Sequence, residues 1–394
     1  MHILLIEPFA SGHRMQYISR IAKEMSRRGW KLTLYTAEAS KDHPEIQSLT
    51  KEISNLIVIY FHDSVIQKIK KHKNPLITAI KFWKLFKQCV VGKSYDVVFV
   101  GTLRHCDKAI AILGSPFGKI PWCGILLDYK LYMDESNIRS SITYKDYINS
   151  WFVSRLLKSA SLKWVFTIDE ILFRFLKKSS NKIIYLIPPI NSQRTQSSQV
   201  AKEYFGIKNN NKVILVYGAL SARKGIDSLI KAVEASKIKN ITILLVGKQD
   251  DCIKKYLNQQ NPLHLIDNMQ IICVDEYVSS DVQSKSYCAA DVVWVGYRGH
   301  ETVSDILIYA AASKIPVIAC ESGWIGWMTR KYNLGICVDI DRIDIVAKAV
   351  CQLTGQVFQP AQTAQANDFF SANLNSQFSK TICDLIENDE ISKR

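Results

Sequence analysis

The sequence predicts an α/β protein of two doubly wound parallel-sheet domains, and three observations carry that expectation. Short apolar runs alternate with stretches of helical periodicity along most of the chain. The alternation is interrupted once, by the polar run "NSQRTQSSQ" (191–199), and then restarts. At 394 residues the chain is also long for a single hydrophobic core. Continuous Val/Ile/Leu runs suit strands that are covered by helices on both faces, which is the environment of a parallel sheet.

In order, "HILLIE" (2–7) reads as the first strand, "MQYISRIAKEMSRRG" (15–29) as a helix and "KLTLYT" (31–36) as the next strand. A long helical insert follows. Strands are then expected at "DVVFVG" (96–101), "PWCGILLD" (121–128), "LKWVFTID" (162–169) and "KIIYLIPP" (182–189). The pattern resumes with "KVILVYG" (212–218), a helix from about 225, and "ITILLVG" (241–247). "MQIICV" (269–274), "DVVWVG" (291–296), "PVIAC" (316–320) and "GICVD" (335–339) complete it. The boundaries that follow are a first domain over 1–190, a linker over 191–210 and a second domain over 211–370. Each sheet is expected to end its strands at a central crevice, where doubly wound folds bind ligands.

Charge separates the halves. Residues 1–190 hold 29 Lys and Arg against 15 Asp and Glu, while the remainder is nearly balanced, at 22 against 21. No acidic residue falls between Asp63 and Asp96, where eight lysines interleave with Ile66, Ile69, Phe82, Trp83 and Phe86. That stretch, 66–93, suits peripheral contact with an anionic membrane. The alternative is a partly buried helix whose lysines snorkel over the core. No nucleic-acid-binding motif accompanies the charge, so nucleic acid is not an expected partner. The ten cysteines include no C-x-x-C and no zinc-type spacing, and many lie in apolar runs, as expected of reduced thiols in a cytoplasmic protein. "MHILLIE" is too quickly polar for a signal peptide, and no apolar run approaches the ~18 residues of a membrane span.

The chemistry-bearing residues cluster where strands run into helices. "VYGALSARKGIDSLIKAV" ends a strand at Gly218 and places Arg223 and Lys224 before a helix, a diphosphate-like anion site. Gly247 closes "ILLVG", where backbone can approach a ring. "GHETVSDILIYAAASKIPVIA" (299–319) sets His300, Glu301 and Ser304 ahead of an apolar helix; Glu301 and Ser304 read either as caps or as ligand contacts. In the first domain Ser11, Gly12, His13 and Arg14 follow the first strand, His105 follows the strand at 96–101, and Asp128 ends the strand at 121–128. Asp169 and Glu170 end the next one. Asp339-x-Asp341 in "VDIDRID" reads as a loop turn, and no metal or cofactor is expected. Trp324 and Trp327 read as packing residues.

The segments "GALSARKGIDSLIKA", "ILLVG", "AADVVWVGY", "ETVSDILIYAAASKIPVIA" and "ESGWIGW", in that order and spacing, resemble the C-terminal half of the family 4 retaining glycosyltransferases. The motifs cover about 150 residues, and the first half matches only in layout. The resemblance implies a GT-B fold of two facing Rossmann-like domains with an interdomain cleft. It also implies a C-terminal helix within 371–394 that packs back towards the first domain. The implied activity is metal-independent transfer of a sugar from a nucleotide diphosphate, UDP by default, to a lipid-linked, polysaccharide-precursor or other cytosol-facing acceptor. Glu301 matches the first glutamate of the family's Glu-x7-Glu motif, which faces the donor sugar, and would begin the helix. Ser304 falls where the family places Gly or Ser beside the phosphates. Arg223 and Lys224 would take the diphosphate, with Gly218, Gly247, Gly12 and His13 approaching the donor. His105 and Asp128 would face the acceptor. The second family glutamate is Tyr309 here, and Lys314 replaces the usual glycine. That departure leaves a non-catalytic nucleotide-sugar-binding module as the alternative. A nucleotide-dependent oxidoreductase would need a G-x-G-x-x-G turn after the first strand, and "EPFASGHRM" lacks one.

Overall fold

The computed structural model describes residues 1–9, 14–127, 143–188, 196–259, 264–266, 268, 270–355 and 377–391. The chain divides into two compact units. Unit 1 comprises Met1–Asp134, Ile142–Pro189 and Ser376–Arg394; unit 2 comprises Glu135–Ser141 and Ile190–Asn375.

Unit 1 is built on seven strands: β1 (His2–Glu7), β2 (Lys31–Ala37), β3 (Leu56–Phe61), β4 (Val97–Val100), β5 (Trp122–Ile125), β6 (Leu162–Thr167) and β7 (Ile183–Tyr185). Their order is β3-β2-β1-β4-β5-β6-β7, and every pairing is parallel. The central β1 explains its own composition. Ile3, Leu4, Leu5 and Ile6 are fully buried between β2 and β4, so no alternation with polar residues is needed. Helices fill the crossovers. One of them, Pro75–Val90, starts with a proline after Asn74, whose Oδ1 accepts from the Leu76 N–H at 2.9 Å. The helix Gln377–Ile391 packs on Arg14–Arg27, with Phe378, Ile382, Cys383 and Ile386 buried. Arg28 fastens it through Glu387 at 2.6 Å and Asp384 at 2.5 Å.

Unit 2 has six parallel strands: β8 (Lys212–Tyr217), β9 (Ile241–Val246), β10 (Ile271–Val274), β11 (Val292–Val295), β12 (Val317–Cys320) and β13 (Gly335–Val338). Their order is β10-β9-β8-β11-β12-β13. In each unit the strand order reverses beside the first strand, between β1 and β4 and between β8 and β11. The chain therefore departs to opposite sides there and leaves a gap at the carboxyl ends, the usual place for a ligand. The two Rossmann-like units make this a GT-B fold.

Two expectations are corrected. The insert before β4 is not all helical, because "LIVIYF" forms the edge strand β3. Residues within the expected linker form the helix Ser198–Tyr204, which belongs to unit 2. Ala201 is buried there, and Lys202 reaches Asp291 at 3.0 Å. The basic stretch forms two helices, Asp63–Lys70 and Pro75–Val90, which bury Ile66, Ile69, Phe82 and Phe86 and leave Val65 and Ile77 exposed. Lys68, Lys70, Lys84 and Lys87 lie exposed on the same two helices. Among the described residues no helix is long and apolar enough to cross a membrane.

Candidate functional site

The turn leaving β8 brings the predicted cations to the reversal point of unit 2. Gly218 adopts φ 93°, and the short helical turn Ala222–Lys224 precedes the helix Ile226–Ser236. Gly247, at the end of β9, lies against it: a Cβ there would meet the Gly218 carbonyl oxygen at 2.2 Å. Glycine at 247 is therefore a packing requirement as well as a conformational one.

Lys224 is buried, at 4% accessibility. Its ammonium donates to the Tyr217 carbonyl at 2.6 Å and to the Tyr297 hydroxyl at 3.0 Å. Burial, reinforced by the neighbouring Arg223 charge, lowers its pKa to about 7. Its backbone is fixed too, because the Trp294 Nε1–H donates to the Lys224 carbonyl at 2.6 Å. Arg223 remains exposed. Its Nη1 donates to His300 Nδ1 at 2.6 Å, while His300 Nε2 lies 3.3 Å from the Val303 carbonyl. An arginine can only donate and a carbonyl can only accept, so the Nε2–H tautomer of His300 satisfies both.

The loop after β11 carries Tyr297, His300, Glu301 and Ser304, and the helix Asp305–Ala312 begins only after them. Glu301 therefore lies in the loop, not at the start of the helix as expected. Ser304 occupies the N-cap position but makes no side-chain cap bond, so capping does not explain it. Both side chains are buried. The next helix, Gly323–Lys331, clamps this loop. Gly323 has φ 68°, and a Cβ there would come within 2.9 Å of both Glu301 Cα and the His300 carbonyl oxygen. Tyr309 is buried with its ring 5.7 Å from Tyr287, which in turn stands 5.5 Å from Tyr217. Tyr217, Tyr287 and Tyr309 thus form a row of aromatic rings.

These elements converge. A Cβ on Gly218 would be 3.6 Å from Lys224 Nζ and 3.7 Å from Ile306 of the following helix. The turn after β8, the end of β9, the loop after β11 and the N-terminus of Asp305–Ala312 thus surround one region. Cations and helix-end N–H groups there favour an anion. Asp341 is occupied elsewhere, accepting from Arg298 Nε at 3.1 Å. Among the described residues no group of three His, Cys, Asp or Glu is placed to hold a metal. Trp324 is buried in the core, and Trp327 lies under Lys331.

At the matching reversal point of unit 1, His105 follows β4. Its Nε2 accepts from Arg14 Nη1 at 3.2 Å, and its ring stands 4.2 Å from Phe9. Burial, followed by the charges of Arg14, Arg104 and Lys70, drives its pKa down to about 3. Gly12, His13 and Asp128 lie outside the described residues, as does Ser11. Asp169 caps the helix Glu170–Lys177, accepting from the Ile171 and Leu172 N–H groups at 2.9 and 3.1 Å, and Glu170 pairs with Arg174. Those bonds account for both acids structurally.

Sequence reading missed Glu7. It is fully buried at the end of β1 and accepts from Thr102 Oγ1 at 2.7 Å and from the Phe9 N–H at 3.1 Å. Burial raises its pKa to about 7, against the opposing effects of Thr102, Arg14 and the Phe9 N–H. A lone acid ending the apolar run "HILLIE" was its signal. Tyr297 was missed as well, because a tyrosine closing "VVWVGY" looks like core.

Residues 211–356, most of unit 2, match the family model described as "Glycosyl transferases group 1". No curated protein matches the chain. Among solved structures it is similar to the sucrose-phosphate synthase of Thermosynechococcus elongatus, at 15% identity and a TM-score of 0.68, covering 100% of each chain. It is also similar to WaaG, a glycosyltransferase involved in lipopolysaccharide biosynthesis, at 17% identity and a TM-score of 0.63, over 98% of this chain and 99% of that one. HepE of Anabaena, solved with UDP and glucose, aligns at 18% identity and a TM-score of 0.61, over 98% of this chain and 100% of that one. At such identities the likeness is one of fold.

Proposed function

We propose that this protein is a retaining glycosyltransferase that moves a sugar from a nucleotide diphosphate to an acceptor that is lipid-linked or a polysaccharide precursor. The observation that carries the reading is the convergence of Arg223, Lys224 and the Glu301 loop at the strand-order reversal of the unit that matches the family model. HepE, a structure of the same fold, holds UDP and glucose, which supports UDP as the first donor to test.

Arg223, the Lys224 ammonium and backbone N–H groups take the diphosphate charge in this reading, without a metal. As the glycosidic bond breaks, negative charge grows on the leaving oxygen, so donors fixed there favour the transition state over the ground state. Removing one such donor costs about 10²–10³ in rate. Glu301 accepts from donor-sugar hydroxyls, held in register by the close packing of Gly323 on its backbone. Lys224 gains its proton as the anion enters, since a charge beside the ammonium offsets the burial that depresses its pKa.

A thermal-shift panel of UDP-, GDP-, dTDP- and ADP-sugars tests the proposal. A ligand at about 100 times its Kd stabilises by about 2.7 kcal/mol. One nucleotide class should raise Tm, and that sugar should then be consumed catalytically. A raised Tm without turnover would leave only a binding module, and no shift with any class would remove the donor site.

A further inference from the structure

Unit 1 holds a cavity of about 630 Å³, a usual size for a small-molecule site. Arg14 lines it from the first turn of Arg14–Arg27, and Arg104 and His105 from the turn after β4. Lys108 comes from the helix Asp107–Leu113, and His72 and Lys73 from the link before Pro75–Val90. Lys145 adds a further cation from the helix Tyr144–Leu157. No Asp or Glu is among the cavity's described lining residues. Cations drawn from separate elements to one concavity focus a positive field and select an anion. His105 contributes as an acceptor that aims the Arg14 guanidinium at 3.2 Å.

A second observation lies beside the cavity. The helix Tyr144–Leu157 buries Val153, Leu156 and Leu157, yet its outer face carries Tyr144, Tyr147, Ile148 and Trp151 at i, i+3, i+4 and i+7. Tyr144 is 79% exposed and Trp151 57%. Ile148 belongs to this stripe and also lines the cavity, so the stripe and the cationic site are continuous. Outward Trp and Tyr next to clustered Lys and Arg match the headgroup region of a bilayer, where amphipathic rings and phosphate-binding cations are both satisfied.

We propose that this cavity receives the phosphate or diphosphate group of a lipid-borne acceptor, with the Tyr144–Trp151 stripe resting on the lipid surface. Calling the ligand an acceptor rests on the transferase reading; the binding itself does not.

The test uses the full chain in an Arg223→Ala background, which weakens competing anion binding in unit 2. Calorimetry with inorganic pyrophosphate should show at least tenfold weaker binding for a Lys73→Ala/Arg104→Ala/Lys145→Ala variant. The protein should sediment with phosphatidylcholine vesicles containing phosphatidic acid, and not with phosphatidylcholine alone. Tyr144→Ser/Trp151→Ser should lose most vesicle binding while keeping its pyrophosphate affinity. Circular dichroism confirms that each variant is folded. Equal pyrophosphate affinity in the triple variant would overturn the phosphate site. Equal recovery on both vesicle types, or undiminished vesicle binding by the stripe variant, would overturn the lipid source. Stabilisation of the wild type by UDP-sugar is read separately. Its absence would count against the transferase reading and leave the result in unit 1 standing.

Discussion

Donor binding should be coupled to proton uptake at Lys224. In the empty site this ammonium has a pKa of about 7, held down first by burial and then by Arg223. The unperturbed value is 10.5. The folded value therefore lies below the unfolded one, and the unfolded chain binds more protons between them. Stability attributable to this group rises with pH across that window of about 7 to 10.5. An anion beside Nζ reverses the balance by favouring the charged form. If the protonated lysine is the binding form, the competent fraction falls from about 0.9 near pH 6 to about 0.1 near pH 8. Affinity for a nucleotide sugar should accordingly drop about tenfold across that range, equivalent to about 1.4 kcal/mol. A sugar diphosphate diester keeps constant charge there, so the slope belongs to the protein. Calorimetry at about pH 6, 7 and 8 reads the affinity, and repeating the middle titration in buffers of different ionisation enthalpy reads the protons. About half a proton should be taken up near pH 7. Lys224→Met, which keeps the volume and removes the charge, should bind weakly with a flat profile. A flat wild-type profile, or the same slope in Lys224→Met, would refute the reasoning.

Other expectations are simpler. Arg223→Ala should weaken nucleotide-sugar binding by about 1.5–3 kcal/mol, read by calorimetry, with little change in Tm because the side chain is exposed. Gly323→Ala should lower kcat about tenfold or more at nearly unchanged nucleotide affinity. Its Cβ would press on Glu301 Cα and the His300 carbonyl, both 2.9 Å away. Phe86→Ala should cost about 3–5 kcal/mol in denaturant unfolding, since the ring is fully buried on the inner side of the helix Pro75–Val90.

The fold was legible because the central strands are apolar throughout, and runs such as "ILLVG" announce themselves. The exceptions have physical causes. β3 carries a strand signal in its six apolar residues "LIVIYF", but it lies between the helices Pro44–Glu52 and Asp63–Lys70, within a stretch whose periodicity is otherwise helical. The helix Ser198–Tyr204 hides in a polar stretch because it buries little beyond Ala201 and Lys202. At the site, sequence supplied Arg223, Lys224, Glu301 and Ser304 but not their environments. Spacing places Lys224 before a helix but does not show Tyr217 and Tyr297 around its ammonium. Glu301 reads as the start of a helix because acids favour first turns, whereas Gly323 holds it in the preceding loop. Glu7 was obscured because nothing in one sequence shows Thr102 arriving from the turn after β4. In the basic stretch the sequence does not show which rings turn inward: Phe82 and Phe86 are buried, while Trp83 is half-buried.

In the proposed function Glu301 acts on the sugar of a nucleotide donor bound at the β8 turn. Proton NMR of donor consumption, with the nucleotide sugar that most raises Tm, tests it most directly in wild type and Glu301→Gln. The wild type should consume the donor and release or transfer the sugar with its anomeric configuration retained. Glu301→Gln should bind the nucleotide with similar affinity and turn over about tenfold or more slowly. Turnover undiminished in Glu301→Gln, or an inverted product, would contradict the account.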